Sequence, residues 1–103
     1  MVDIRTGSPS FGRWLGVELS AERWNMLYVP EGFAHGYVTL DAAEVIYKVS
    51  ALYAPAAERS IRFDDPAIGV EWPLAASAIV VSEKDRQAGT LADAAGIFQW
   101  PQP

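Results

Sequence analysis

The chain contains no cysteine, which excludes disulfides, thiolate nucleophiles and zinc sites built on sulfur. It has a single histidine, His35. Metal centres made of clustered imidazoles need at least two from one chain, unless a subunit interface supplies them. A Ser-His-Asp triad would have to pair His35 with a serine in a strained Gly-x-Ser-x-Gly turn, and no such turn occurs. Neither Gly-x-Gly-x-x-Gly nor Gly-x-x-x-x-Gly-Lys is present, so there is no standard phosphate-cradling loop. No apolar run approaches the roughly 20 residues of a membrane span. The opening Met1-Val2-Asp3-Ile4-Arg5 lacks the apolar stretch of a signal peptide. Basic residues are also few: 8 Lys and Arg against 13 Asp and Glu leave a net charge of −5, which argues against a general nucleic-acid binder.

What is present is the material of one small domain, residues 1–103, with 50% hydrophobic and 20% charged residues. Its periodicity is two. Leu15, Val17 and Leu19 alternate with Gly16 and Glu18, and Ile68, Val70 and Trp72 with Gly69 and Glu71. Val2-Ile4, Met26-Val29, Tyr37-Leu40 and Val45-Val49 also read as strands, rich in β-branched and aromatic residues, with Ile61-Phe63 and Ile79-Val81 as shorter candidates. Turn residues punctuate them at Gly7-Ser8-Pro9, Pro30-Glu31-Gly32, Asp41-Ala42-Ala43, Ala54-Pro55 and Asp64-Asp65-Pro66. One short helix is expected at Thr90-Ala95, with Thr90 as N-cap and Asp93 three residues on. The tail Gln99-Trp100-Pro101-Gln102-Pro103 reads as non-helical. Many short strands at near-regular spacing predict an all-β sandwich, jelly roll or barrel.

The order of motifs is more specific than their composition. Val2-Asp3-Ile4-Arg5 is followed by Gly7-Ser8-Pro9-Ser10-Phe11-Gly12-Arg13-Trp14 and Pro30-Glu31-Gly32-Phe33-Ala34-His35-Gly36. Then come Tyr47-Lys48, Tyr53-Ala54-Pro55 with Glu58-Arg59, Asp64-Asp65-Pro66, Trp72-Pro73 and Ser82-Glu83-Lys84-Asp85. From residue 2 to about residue 93 this series resembles the dTDP-4-dehydrorhamnose 3,5-epimerase family. The resemblance implies a cupin-type jelly roll (a double-stranded β-helix) and epimerisation of a dTDP-4-keto-6-deoxy sugar in rhamnose and cell-envelope polysaccharide biosynthesis. It further implies no metal or organic cofactor, a homodimer and a cytoplasmic location. It covers the later part of the family's domain. The family's Arg-Gly-Leu-His motif, whose histidine is the general base, has no counterpart in these residues. The expectation is an N-terminally truncated jelly roll with impaired turnover.

The resemblance also assigns roles. Tyr47 matches the proton-donor tyrosine, and a phenol with an unperturbed pKa near 10 keeps its proton at neutral pH. Strand propensity alone explains a tyrosine at this position equally well. Asp85 matches the aspartate that orients the catalytic histidine, although Glu83-Lys84-Asp85-Arg86 also reads as a solvated run of mixed charge. His35 matches a histidine lining the substrate pocket; a structural, hydrogen-bonded role is the alternative. Glu58 and Lys84 match substrate-contacting positions, Lys84 on the nucleotide side. Tyr47, His35 and Asp85 are expected to face one cavity. Of the cations, Lys48, Arg59, Arg62, Lys84 and Arg86 lie between positions 48 and 86, as an anionic diphosphate would require. The competing function is a non-catalytic sugar-nucleotide-binding or structural remnant. A metal-dependent cupin enzyme is a third reading, from fold analogy alone.

Overall fold

Val2 and Ile4 start an extended run whose backbone is paired on both sides. The computed structural model describes residues 1–101; Gln102 and Pro103 of the expected non-helical tail lie outside the described residues. Strand β1 (Val2–Asp3) pairs antiparallel with β3 (Phe33–Ala34), Val2 opposite Ala34 and Asp3 opposite Phe33. Strand β2 (Arg5–Thr6) pairs parallel with β4 (Phe98–Gln99). On the far side of β1, Val2 bridges Trp14, and Leu15 N–H donates to the Met1 carbonyl at 2.9 Å. The Met1-Arg5 run is therefore paired along both edges.

A polar cluster ties these strands together. Asp3 is 2% exposed, and its carboxylate accepts from Arg5 Nε and Nη2, both at 2.9 Å, and from Ser8 Oγ at 2.6 Å. Ser10 Oγ and the Arg5 backbone N–H also donate to it. These donors, led by Arg5, hold the Asp3 carboxyl far below the usual carboxylate range. The Arg5 guanidinium lies 4.7 Å from the Phe33 ring centroid and 4.4 Å from that of Trp100, so one side chain joins β1, β3 and the C-terminal segment. Gly32 permits this approach. Its φ is +85°, and a Cβ there would stand 2.5 Å from Arg5 Cγ.

The second cluster forms around Asp65. This buried carboxylate accepts from Ala67 N–H at 2.9 Å within its own turn and from Leu91 N–H at 2.7 Å. It thereby anchors helix α2 (Leu91–Ala94), which begins in a capping box between Thr90 and Asp93. Leu91 and Ala94 are the buried face of α2 and, with Ile4, form the buried apolar core among the described residues. Nearby, Trp72 Nε1 donates to the Phe63 carbonyl at 2.9 Å, and the two rings meet edge to face.

Among the described residues the chain is mostly non-helical, with two two-stranded sheets and two short helices, compatible with an all-β fold. Two expectations need correction. A second helix, α1 (Glu83–Arg86), precedes the expected one, because Ser82 Oγ accepts from Asp85 N–H at 3.2 Å and caps its first turn. Leu15-Leu19, Met26-Val29, Tyr37-Leu40, Val45-Val49, Ile68-Trp72 and Ile79-Val81 are also not laddered strands; apart from Leu15 against Met1, they lack pairing partners among the described residues. Residues 35–53 make no backbone–backbone hydrogen bond at all among the described residues. Alternation survives without a ladder: Leu27 and Val29 are half-buried between exposed Met26 and Tyr28, and Ile68, Val70 and Trp72 are half-buried between exposed Gly69 and Glu71. The chain exposes 8472 Å², whereas a compact monomer of this mass exposes about 5,700 Å². The excess is carried by apolar residues such as Trp24, Met26, Tyr28, Ile46 and Leu52.

Candidate functional site

Two of the five candidate residues, Glu58 and Lys84, meet at helix α1, and a third, Asp85, follows Lys84 on that helix. Pro55 opens a short 3₁₀ turn, Pro55–Ala57, with its fixed φ, and Glu58 follows as the C-cap. The Arg59 guanidinium folds back to donate to the carbonyls of Ala56 at 3.2 Å and Glu58 at 2.8 Å, which fixes the backbone that carries the Glu58 side chain. Lys84 projects from α1, and its Nζ lies 2.7 Å from Glu58 Oε2. The contact spans 26 residues. It raises the Lys84 ammonium above its ordinary pKa, through Glu58 first and Tyr53 and Asp85 after it. Lys84 is therefore a fixed positive charge at neutral pH, with donors left over.

Asp85 lies on the same turn of helix and lines a cavity of about 320 Å³. Phe63, Ile79 and Val81 supply its apolar wall, and Arg62, Arg86 and Asp64 its charged rim. Arg62 is held by Asp64 through Nε–Oδ1 at 3.0 Å and Nη2–Oδ2 at 3.2 Å, raising the guanidinium's pKa and lowering the carboxyl's. The Asp85 carboxylate has no ion-pair or hydrogen-bond partner among the described residues, so it is available to a ligand or to another side chain. A second cavity of about 290 Å³, walled by Trp72, Leu74 and Val70, shares Phe63, Asp64 and Ile79 with the first. A small-ligand site commonly combines an apolar wall with a few convergent polar groups, and the first cavity has both. Among the described residues no three carboxylate or imidazole groups converge as metal ligands.

The structure does not bring the other two candidates to this place. His35 follows β3 directly and is exposed. Tyr47 is 75% exposed on the unladdered segment 45–49, where Val45 and Val49 are exposed beside it. Neither lines either cavity. Period-two parity selects a face only when a sheet exists to have faces, and here that segment has no neighbour to define one. The sequence reading missed Arg62, Arg86 and Asp64 as neighbours of Asp85, although the run of cations between positions 48 and 86 contained the signal. It also missed the Asp3–Arg5 pair, whose i, i+2 spacing puts opposite charges on one side of an extended strand.

The family model for dTDP-4-dehydrorhamnose 3,5-epimerase matches residues 1–93. A dTDP-4-dehydrorhamnose 3,5-epimerase of Sinorhizobium fredii is 47% identical over 100 residues, covering 96% of this chain and 51% of its own. That of Pseudomonas aeruginosa is 49% identical over 94 residues, covering 90% of this chain and 51% of its own. That of Salmonella typhimurium is 58% identical over 73 residues, 70% of this chain and 40% of its own. The chain thus spans about half the length of the curated relatives it matches. A family match over residues 1–93 and identity this high over most of the chain mean that the chain belongs to the dTDP-4-dehydrorhamnose 3,5-epimerase family.

Proposed function

We propose that the chain is the substrate-facing part of a sugar-nucleotide epimerase, a cupin-type jelly roll acting on a dTDP-4-keto-6-deoxy sugar in the cytoplasm as a homodimer. The observation that carries this reading is the contact of Glu58 with Lys84, 26 residues apart, on the helix that also carries Asp85. In the proposed reaction a proton next to the substrate's ketone is removed on one face, and the electrons it leaves are held as an enolate on the ketone oxygen. Tyr47 returns a proton to the carbon from the opposite face, which inverts the centre. The substrate's own carbonyl is the electron sink. Lys84 holds the nucleotide portion by charge, Glu58 and His35 contact the substrate, and Asp85 orients the imidazole that acts as base.

That imidazole is not assigned to His35, and loss of a general base alone lowers the rate by about 10²–10⁴-fold. A second reading follows from the exposure of Tyr47 and its absence from the cavity that Asp85 lines. On that reading the chain binds sugar nucleotide without turning it over. Proton NMR of a dTDP-4-keto-6-deoxyglucose solution in deuterium oxide separates the two. Solvent deuterium entering C3 and C5 in the presence of the chain supports epimerase chemistry, and entry at C3 alone a single inversion. Binding with no exchange at either carbon overturns the catalytic reading in favour of the second.

A further inference from the structure

Residues 35–53 make no backbone–backbone hydrogen bond among the described residues, so what fixes the backbone of His35 acts through β3, which ends one residue before it. Continuing the alternation of β3 by one residue puts His35 on the same face as Phe33. On the Phe33 ring sits the Arg5 guanidinium, 4.7 Å from its centroid. Asp3 holds that guanidinium by Nε and Nη2, and the Trp100 ring lies 4.4 Å from it. Trp100 is placed by its backbone. Its N–H donates to the Thr6 carbonyl at 2.9 Å, Gly96 N–H donates to Thr6 Oγ1 at 2.8 Å, and β4 runs beside β2 with Phe98 opposite Arg5. The family match ends at residue 93, so β4 and Trp100 lie outside it. We propose that Trp100 is a positioning residue for His35: the C-terminal segment closes over Arg5, Arg5 bears on Phe33, and Phe33 fixes the point from which segment 35–53 departs. This rests on the reading above that His35 contacts the substrate.

The physical argument is one of order supplied before binding. A side chain on an unpaired segment must be immobilised when a ligand arrives, and that ordering lowers affinity. Trp100 supplies part of the order in advance without touching the ligand. It does so through the face of its ring, because a guanidinium over an aromatic face is drawn to the ring's negative quadrupole. Leucine at position 100 keeps apolar bulk but offers no such face, whereas phenylalanine keeps the face. The Asp3 hydrogen bonds and the β1–β3 pairing remain in both cases, so losing the ring loosens β3 without unfolding it.

The test follows the imidazole Cε1–H of His35, the single histidine of the chain, by NMR. Amide exchange at Ala34, opposite Val2 in the β1–β3 pair, is measured beside it. The ligand is dTDP-glucose, which has no ketone and is not turned over. The variants are Trp100→Leu, Trp100→Phe and, as a control that weakens the α2 cap instead, Thr90→Ala. Trp100→Leu is expected to speed Ala34 exchange about 2- to 5-fold, the range an exposed cation–π contact allows. It should raise the dTDP-glucose concentration that half-shifts the His35 signal by the same factor. Trp100→Phe should restore both, and Thr90→Ala should move neither. If Thr90→Ala or Trp100→Phe does as much as Trp100→Leu, Trp100 supports the fold in general and the positioning role is overturned. If dTDP-glucose shifts the wild-type His35 signal and Trp100→Leu leaves the half-shifting concentration unchanged, the positioning role fails while the substrate contact of His35 stands. If dTDP-glucose does not move the wild-type signal, that contact fails and the positioning role with it.

Discussion

Replacing Asp3 by Asn should remove the strongest single tie in the N-terminal half of the structure. The carboxylate takes five donors: the Arg5 backbone N–H, two guanidinium nitrogens and the hydroxyls of Ser8 and Ser10. An asparagine presents one carbonyl oxygen and turns its NH₂ group toward donors, so several buried partners lose their acceptor. Truncating one side of a buried ion pair costs about 3–5 kcal/mol, a large share of the ~5–15 kcal/mol that holds a domain together. With a urea m-value of about 1–3 kcal/mol/M, the unfolding midpoint should fall by about 2 M. Tryptophan fluorescence reads this directly, because Trp100 stacks on the Arg5 guanidinium. The pH dependence has a fixed sign. The folded Asp3 pKa is depressed, so its stabilisation is complete above the unfolded carboxylate's pKa, near 4. It is lost as pH falls toward the folded value. The gap between wild type and Asp3→Asn should therefore be full at pH 7 and shrink steadily below pH 4. A loss under about 1 kcal/mol at pH 7, or a gap that does not close in acid, would refute the argument.

Three other outcomes follow. Gly32→Ala combines a positive φ with a Cβ placed against Arg5 Cγ, so it should destabilise by more than about 1 kcal/mol, and its effect should shrink in an Asp3→Asn background. Thr90→Ala removes half of the capping box on α2 and should cost about 1 kcal/mol, with Thr90→Ser recovering most of it by urea titration. The 8472 Å² of exposed surface exceeds a compact monomer's by more than the ~800 Å² per partner of a standard interface. Sedimentation at micromolar concentration should thus show association, and a concentration-independent monomer would show that this apolar surface is tolerated in water.

Legibility in the sequence tracked how local the determinants were. Thr90 and Asp93 spell out a capping box within four residues, and helix α2 begins there. Pro30-Glu31-Gly32 and Asp64-Asp65-Pro66 are turns for reasons contained in the residues themselves. Helix α1 was equally local, since Ser82 stands three residues before Asp85, but the mixed charges of Glu83-Lys84-Asp85-Arg86 read as a solvated run. Strands are a different matter. The residues of Val45-Val49 fit a pleated, half-buried surface, but a ladder needs a neighbour, and strand propensity carries no information about whether one is in reach. The same limit applies to the site. Glu58 and Lys84 were named separately through resemblance, while their mutual contact, and the company of Arg62 and Arg86 around Asp85, depends on how the turn at 55–59 and the segment 61–89 pack.

The most direct test of the central claim, that residues 35–85 carry a sugar-nucleotide site, is an amide ¹H–¹⁵N correlation spectrum of the chain titrated with thymidine diphosphate. Saturable shifts are expected, concentrated at Glu58, Lys84 and Asp85. Shifts confined to the Trp72–Leu74 cavity, or a spectrum that thymidine diphosphate leaves unchanged, would contradict it.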